Sequence, residues 1–181
     1  MTTPDYLNTL GLAYFQHFIS KEEEKSLIQH IQNLSWQKVS LFGQVAKRRV
    51  VHFGLDYHYE SRTVKPTTPP PFFLQKTITS AANLLDKSSN HIDEILITEY
   101  PILAGINWHR DAPAFKEVIG ISLLNPTIIY FRKRTNKQEQ IKLILEPCSV
   151  YILKDEIRWE WEHRIPPVKA LRYSITLRTL R

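Results

Sequence analysis

His109 and Asp111 stand two residues apart in "INWHRDAP", at the end of an apolar run. In an extended segment, residues i and i+2 project to the same side, so an imidazole nitrogen and a carboxylate oxygen there can converge on one point. Two ligands hold a metal poorly, and His163 in "WEWEHRI" offers a third. Two histidines and one carboxylate on one face form the set that binds non-haem Fe(II) and leaves positions open for substrates and O₂. Short H-x-D pairs also arise by chance in loops, so this pair does not decide the matter alone.

The segment "RYSITLR" adds a second chemistry. Arg172, Ser174, Thr176 and Arg178 alternate with Tyr173, Ile175 and Leu177, so one strand face is polar with an arginine at each end. Facing solvent, such a strand is ordinary. Lining an interior, its two guanidinium groups require anions. Arginine's planar fork suits a carboxylate, and a dicarboxylate co-substrate would serve both residues.

Elements must carry these residues to one place. "FISKEEEKSLIQHIQNL" predicts a helix, with Ser20 and Glu23 as a capping box and Leu27, Ile28, Ile31 and Leu34 at helical spacing. "AKRRVVHFG" and "LDYHYESRTV" predict strands with a turn at Gly54. The proline-rich 65–71 loop opens a second helix, "FFLQKTITSAANLLD". From Ile95 onward seven runs read as strands, among them "VIGISLL", "TIIYFRKR", "SVYILK" and the whole of "RWEWEHRI". Two helices followed by many closely spaced strands predict an α+β, mainly β domain: an antiparallel barrel or sandwich with helices packed on one side.

With these motifs in order, the sequence resembles the AlkB family of Fe(II)- and 2-oxoglutarate-dependent dioxygenases. The family pattern is H-x-D, a distant H, then R-x-N-x-T-x-R, read here as "HRD", His163 and "RYSITLR". The flanks "RWEWEHRIPPV" and "ISLL…IIYFR" agree, and the likeness runs from about Phe15 to the C-terminus. The resemblance implies a double-stranded β-helix (jelly roll), Fe(II), 2-oxoglutarate and O₂. It implies His109, Asp111 and His163 as metal ligands. Arg172 would pair with the distal carboxylate of 2-oxoglutarate, Arg178 would lie near its iron-chelating end, and Tyr100 would donate a hydrogen bond to it. Two positions depart from the pattern: Thr98 and Ser174 stand where the family has asparagine, and both reach less far.

The resemblance also implies a nucleotide-recognition lid over about residues 40–66 of a single 1–181 domain. There Lys47, Arg48 and Arg49 precede Phe53, Tyr57 and Tyr59, and basic groups with aromatic faces suit phosphates and unstacked bases. The run "RRVVHFG" is similar to that of the subgroup containing the tRNA wobble-uridine hydroxylase. The expected reaction is oxidative demethylation of N-alkylated bases in DNA or RNA, single strands favoured, with release of formaldehyde, succinate and CO₂. The alternatives are hydroxylation of modified tRNA or of a protein side chain, or a non-catalytic nucleic-acid-binding module.

Composition bounds these readings. The chain has 181 residues, 43% hydrophobic and 23% charged, with a net charge of +6 that suits a polyanionic partner. No run of about 18 apolar residues predicts a membrane span. The N-terminus shows no secretion signal. One cysteine, Cys148, excludes an internal disulfide and fits a reducing cytosol, or a nucleus in a eukaryote. Cys148 is expected as apolar filler within a strand, and Trp108, Trp159 and Trp161 as packing around the ligands. A monomer is expected.

Overall fold

The computed structural model describes residues 4–41, 44–58 and 61–181. Tyr59 and part of the expected lid lie outside them. Two short elements come first, α1 (Pro4–Thr9) and β1 (Leu12–Phe15), followed by the helix α2 (Lys21–Gln32). Ser20 caps α2 as the sequence predicts: its hydroxyl accepts from Glu23 N, while the Glu23 carboxylate accepts from Ser20 N. Next come β2 (Gln37–Leu41), β3 (Gln44–His58), β4 (Thr63–Pro66) and, after one 3₁₀ turn, α3 (Gln75–Asn83).

The remaining strands are β5 (Glu94–Tyr100), β6 (Ile106–His109), β7 (Phe115–Leu123), β8 (Thr127–Lys133), β9 (Gln140–Leu145), β10 (Ser149–Leu153), β11 (Trp161–Ile165) and β12 (Arg172–Leu180). They form two antiparallel sheets. The larger runs β1-β10-β7-β12-β5-β3-β2 with β4 on β3, and the smaller runs β6-β11-β8-β9. This is the expected jelly roll.

Period-2 alternation sorts the side chains of the larger sheet into two layers. Val51, Phe53, Ile95, Ile97, Ile119, Ile121, Tyr173, Ile175 and Leu177 pack with Leu27 and Ile31 of α2 and Ile78 and Ala81 of α3. The helices therefore cover one side. The opposite face looks toward the smaller sheet, where Val118, Ile129, Phe131, Leu153 and Trp161 form a second core.

Three local expectations are corrected. Gly54 makes no turn: β3 runs through it at φ +75, where a Cβ would lie 2.4 Å from Asp93 O. Its backbone instead exchanges hydrogen bonds with Thr67 and Thr68, passing β3 on to β4. "RWEWEHRI" is not one strand, because Asp155–Trp159 forms the short helix α4 before β11. Cys148 is buried but sits in the turn between β9 and β10 at φ +64, not in a strand.

Candidate active site

His109 ends β6 and His163 lies in β11, and the two are directly opposed Cα partners of one antiparallel pair. Opposed residues send their side chains to the same face, and the two rings meet with centroids 4.3 Å apart. Asp111 follows two residues beyond β6, with its Oδ2 3.6 Å from His163 Nε2. His109 Nδ1 lies 2.8 Å from Asn107 O. A carbonyl only accepts, so Nδ1 carries the proton and the Nε2 lone pair is free.

Arg178 fixes the carboxylate. Its Nε and Nη2 both donate to Asp111 Oδ1, at 3.0 and 2.5 Å. Oδ2 is thereby left toward the histidines. The third guanidinium nitrogen donates to Glu94 Oε2. The expectation that both strand arginines need an external anion is half corrected, since the protein's own carboxylates neutralise Arg178.

Arg172 differs. It is buried at 1% exposure, and its Nη2 donates to Ser122 Oγ at 3.1 Å. Its guanidinium carbon lies 4.9 Å from the centre of the Tyr100 ring. Its Nε and Nη1 are buried without a hydrogen-bond partner, and no carboxylate pairs with it among the described residues. A buried guanidinium in that state is costly unless a carboxylate arrives. The residues therefore fit a dicarboxylate ligand, and two neutral imidazoles with one carboxylate fit Fe(II).

The electrostatics agree with ligand duty. Burial, then His109, lowers the His163 pKa to about 3 against Asp111's opposing pull, so His163 is neutral. Burial likewise lowers His109. Burial alone would raise Asp111, but Arg178, the histidines and Arg158 outweigh it and hold the carboxyl well below its ordinary range.

One cavity of about 930 Å³ joins these groups, lined by His109, Asp111, His163, Tyr100, Arg172, Ser174 and Arg178. The predicted site residues thus come together. The lid divides. Arg48 and Tyr57 line the same cavity, with Arg48 Nη1 3.5 Å from Gly105 O. Phe53 is a core residue packed on the helix side. Arg49 also faces that side, donating to Glu99 at 2.7 Å and stacking over Trp36 at 5.5 Å. Neither Phe53 nor Arg49 lines the cavity: both lie an odd number of residues from Arg48, on the helix side of β3, and Gly54 at φ +75 shifts the alternation before Tyr57.

Several further side chains surround the site, and nothing in the sequence sets Glu94 or Tyr151 apart. Glu94 is almost fully buried between Arg178 and His52, whose Nδ1 lies 3.2 Å from Glu94 Oε1 and 3.3 Å from Asp56 Oδ1. These three side chains form a second histidine–carboxylate group, their ligand-type atoms within 4.8 Å of one another. Buried Arg158 of α4 donates from Nη2 to the carbonyls of Ala112 and Phe115 at 2.8 and 2.7 Å, bracing the turn behind Asp111. Tyr151 of β10 also lines the cavity. Of the tryptophans, Trp161 is core, while Trp108 lies between Arg132 and Arg164 at 4.1 and 4.9 Å.

Known proteins give the same picture. Residues 11–178 match the family described as the 2OG-Fe(II) oxygenase superfamily. An uncharacterized protein of Acanthamoeba polyphaga mimivirus, L905, is 29% identical over 90% of this chain and 76% of its own length. The mouse tRNA (carboxymethyluridine(34)-5-O)-methyltransferase ALKBH8 is 31% identical over 88% of this chain, which spans only 24% of that protein. The Arabidopsis thaliana alkylated DNA repair protein ALKBH8 homolog is 29% identical over 97% of this chain and 60% of its own length. The structure of OsALKBH1 superposes with a TM-score of 0.72 at 14% identity, covering 93% of this chain and 96% of that one. A Pseudomonas putida prolyl-4-hydroxylase reaches 0.68 at 14% identity, covering 98% and 96%, and shares the fold. The chain is thus an oxygenase that uses Fe(II), 2-oxoglutarate and O₂, and it belongs to the 2OG-Fe(II) oxygenase superfamily, in the AlkB family beside the ALKBH8 subgroup.

Proposed function

We propose that the chain hydroxylates a carbon on a modified base of tRNA, with His109, Asp111 and His163 holding Fe(II) and Arg172 holding the distal carboxylate of 2-oxoglutarate. One observation carries this reading: a single cavity joins Arg172, whose Nε and Nη1 lack a hydrogen-bond partner, the opposed histidines and the expected lid residues Arg48 and Tyr57. The His52–Asp56–Glu94 group is a poorer metal site, because Glu94 already serves Arg178 and His52 is shared between two carboxylates.

Bound together, Fe(II), 2-oxoglutarate and O₂ supply oxygen insertion into a C–H bond, with succinate and CO₂ formed. The chain's own residues do the rest. Arg178 locks Asp111 in one orientation, and the Asn107 carbonyl fixes the His109 tautomer. Ile129 and Leu145 give the cavity apolar walls that limit water. Arg48 meets a phosphate and Tyr57 stacks on an unpaired base.

Relatives named for tRNA support a tRNA substrate, while the Arabidopsis relative named for alkylated DNA repair keeps the demethylation expected from the sequence as the second reading. The same oxidation of an N-methyl carbon would release formaldehyde. Mass spectrometry separates the two outcomes. The protein with Fe(II), 2-oxoglutarate and O₂ is incubated with tRNA and with oligonucleotides carrying 1-methyladenine or 3-methylcytosine, with His109→Ala as control. A nucleoside gaining one oxygen in tRNA supports the proposal. Loss of methyl groups from the oligonucleotides with unchanged tRNA overturns it in favour of demethylation.

A further inference from the structure

Gly120 sits in the middle of β7, where a glycine weakens a strand unless something must approach its backbone closely. That something is Tyr151. The two are Cα partners across β10 and β7, and a Cβ on Gly120 would fall 2.2 Å from Tyr151 Cζ and 2.5 Å from its hydroxyl. The phenol ring thus lies flat across Gly120, on the cavity face of the sheet.

The neighbourhood of that hydroxyl is specific. Along β7, Ser122 is two residues from Gly120 on the same face, and Ser122 Oγ accepts from Arg172 Nη2. On the other side of β7, Gly120 faces Thr176 of β12, midway between Ser174 and Arg178. Tyr151 therefore stands beside the path that leads from Arg172 toward Arg178 and Asp111. Burial raises its pKa, with Asp111 and Tyr100 adding to the rise and Arg172 and Arg178 opposing it, so the hydroxyl keeps its proton and remains a donor. No hydrogen bond engages it among the described residues. The hydroxyl thus lines the same cavity as Arg172, close enough to influence its charge, while Arg172 Nε and Nη1 have no partner, so one acceptor entering the cavity can serve both residues.

We propose that Tyr151 is a positioning residue of the co-substrate site, its hydroxyl donating to the same carboxylate that Arg172 binds, in a space that Gly120 keeps open. This rests on Arg172 as the carboxylate anchor. It also accounts for the short Thr98 and Ser174 side chains, Cα partners on β5 and β12, since a long phenol from the neighbouring strand supplies reach that they lack.

Isothermal calorimetry on the Mn(II)-loaded protein tests it, with N-oxalylglycine as a probe carrying both carboxylates and oxalate as a probe that only chelates the metal. Tyr151→Phe should weaken N-oxalylglycine binding about tenfold, the scale of a hydrogen bond to a charged group, and leave oxalate and Mn(II) affinity unchanged. Gly120→Ala keeps the hydroxyl but displaces the ring, and should give the same selective loss. Unchanged N-oxalylglycine binding by Tyr151→Phe, or equal losses for both probes, overturns the proposal while Arg172 stays the anchor. If the unaltered protein binds oxalate but not N-oxalylglycine, the Arg172 reading fails and this one with it.

Discussion

Arg172 and Arg178 end the same polar face of one strand, yet their charges have opposite standing. Replacing Arg172 by Met removes a buried cation without a carboxylate partner. Thermal melts of the ligand-free protein should therefore show no loss of stability, or a gain, as hydrophobic replacement of uncompensated buried charge allows. The rise in Tm that N-oxalylglycine gives the unaltered protein should vanish in the variant. Arg178→Leu instead strands Asp111 and Glu94, and urea unfolding should show a loss of about 3–5 kcal/mol. The histidines make a separate prediction. The His163 pKa is about 3 in the folded chain against an ordinary 6.5, so between those values the unfolded chain binds a proton that the folded one refuses. The resulting stability is complete above 6.5 and is lost as pH falls from there toward 3, by up to about 1.4 kcal/mol per pH unit for this group. Asp111, also lowered, adds a loss further into acid. Urea titrations of the metal-free protein at mildly acidic and neutral pH check the slope, and a flat profile would contradict a neutral buried His163. The sequence made the ligand types and their spacing legible. It could not reveal that Asp111 and Glu94 rather than a ligand satisfy Arg178, because those contacts join β12 to β5 and to the turn after β6, whose relative placement only the closed interior determines.

At the level of elements, the alternation in "RYSITLR" translated directly into structure: Tyr173, Ile175 and Leu177 entered the helix-side core and the arginines entered the cavity. The same rule, applied to β3, would have separated Arg48 from Arg49. Composition grouped them instead, and only Arg48 faces the cavity. Glycine commonly marks a turn, whereas here Gly54 allows one long strand to serve two pairings. Gly54→Ala should cost about 1–3 kcal/mol in urea unfolding, since φ +75 and contact with Asp93 O both oppose a Cβ. Ser20→Ala should cost about 1 kcal/mol by losing the cap of α2, with turnover unaltered because α2 lies on the far side of the larger sheet. The helix α4 had no clear signature within "RWEWEHRI", whose aromatic residues favour a strand by propensity. There Arg158's bonds to Ala112 and Phe115 and its contact with Trp159 at 4.4 Å draw the chain toward the Asp111 turn.

For the molecule as a whole, a net charge of +6 would make binding of the proposed RNA partner salt-dependent. If Arg48 meets a phosphate, Arg48→Ala should flatten the plot of log affinity against log salt by about 0.7 for single-stranded RNA. Arg49→Ala should leave that slope alone and lower stability instead, because it breaks the Glu99 pair and the Trp36 stack. Filter binding over a salt series distinguishes the two. The overall architecture was legible because helices preceded strands and strand spacing was short. The sheet order was not, since it rests on pairings between distant segments. That order has a consequence for synthesis. β12 comes last among the strands, yet it lies between β7 and β5 at the middle of the larger sheet. While the chain leaves the ribosome, β5 and β7 must hold a gap open, each with a bare edge that could capture the other or a neighbouring chain. A nascent chain can thus carry both histidines and Asp111 and still lack the floor on which they meet.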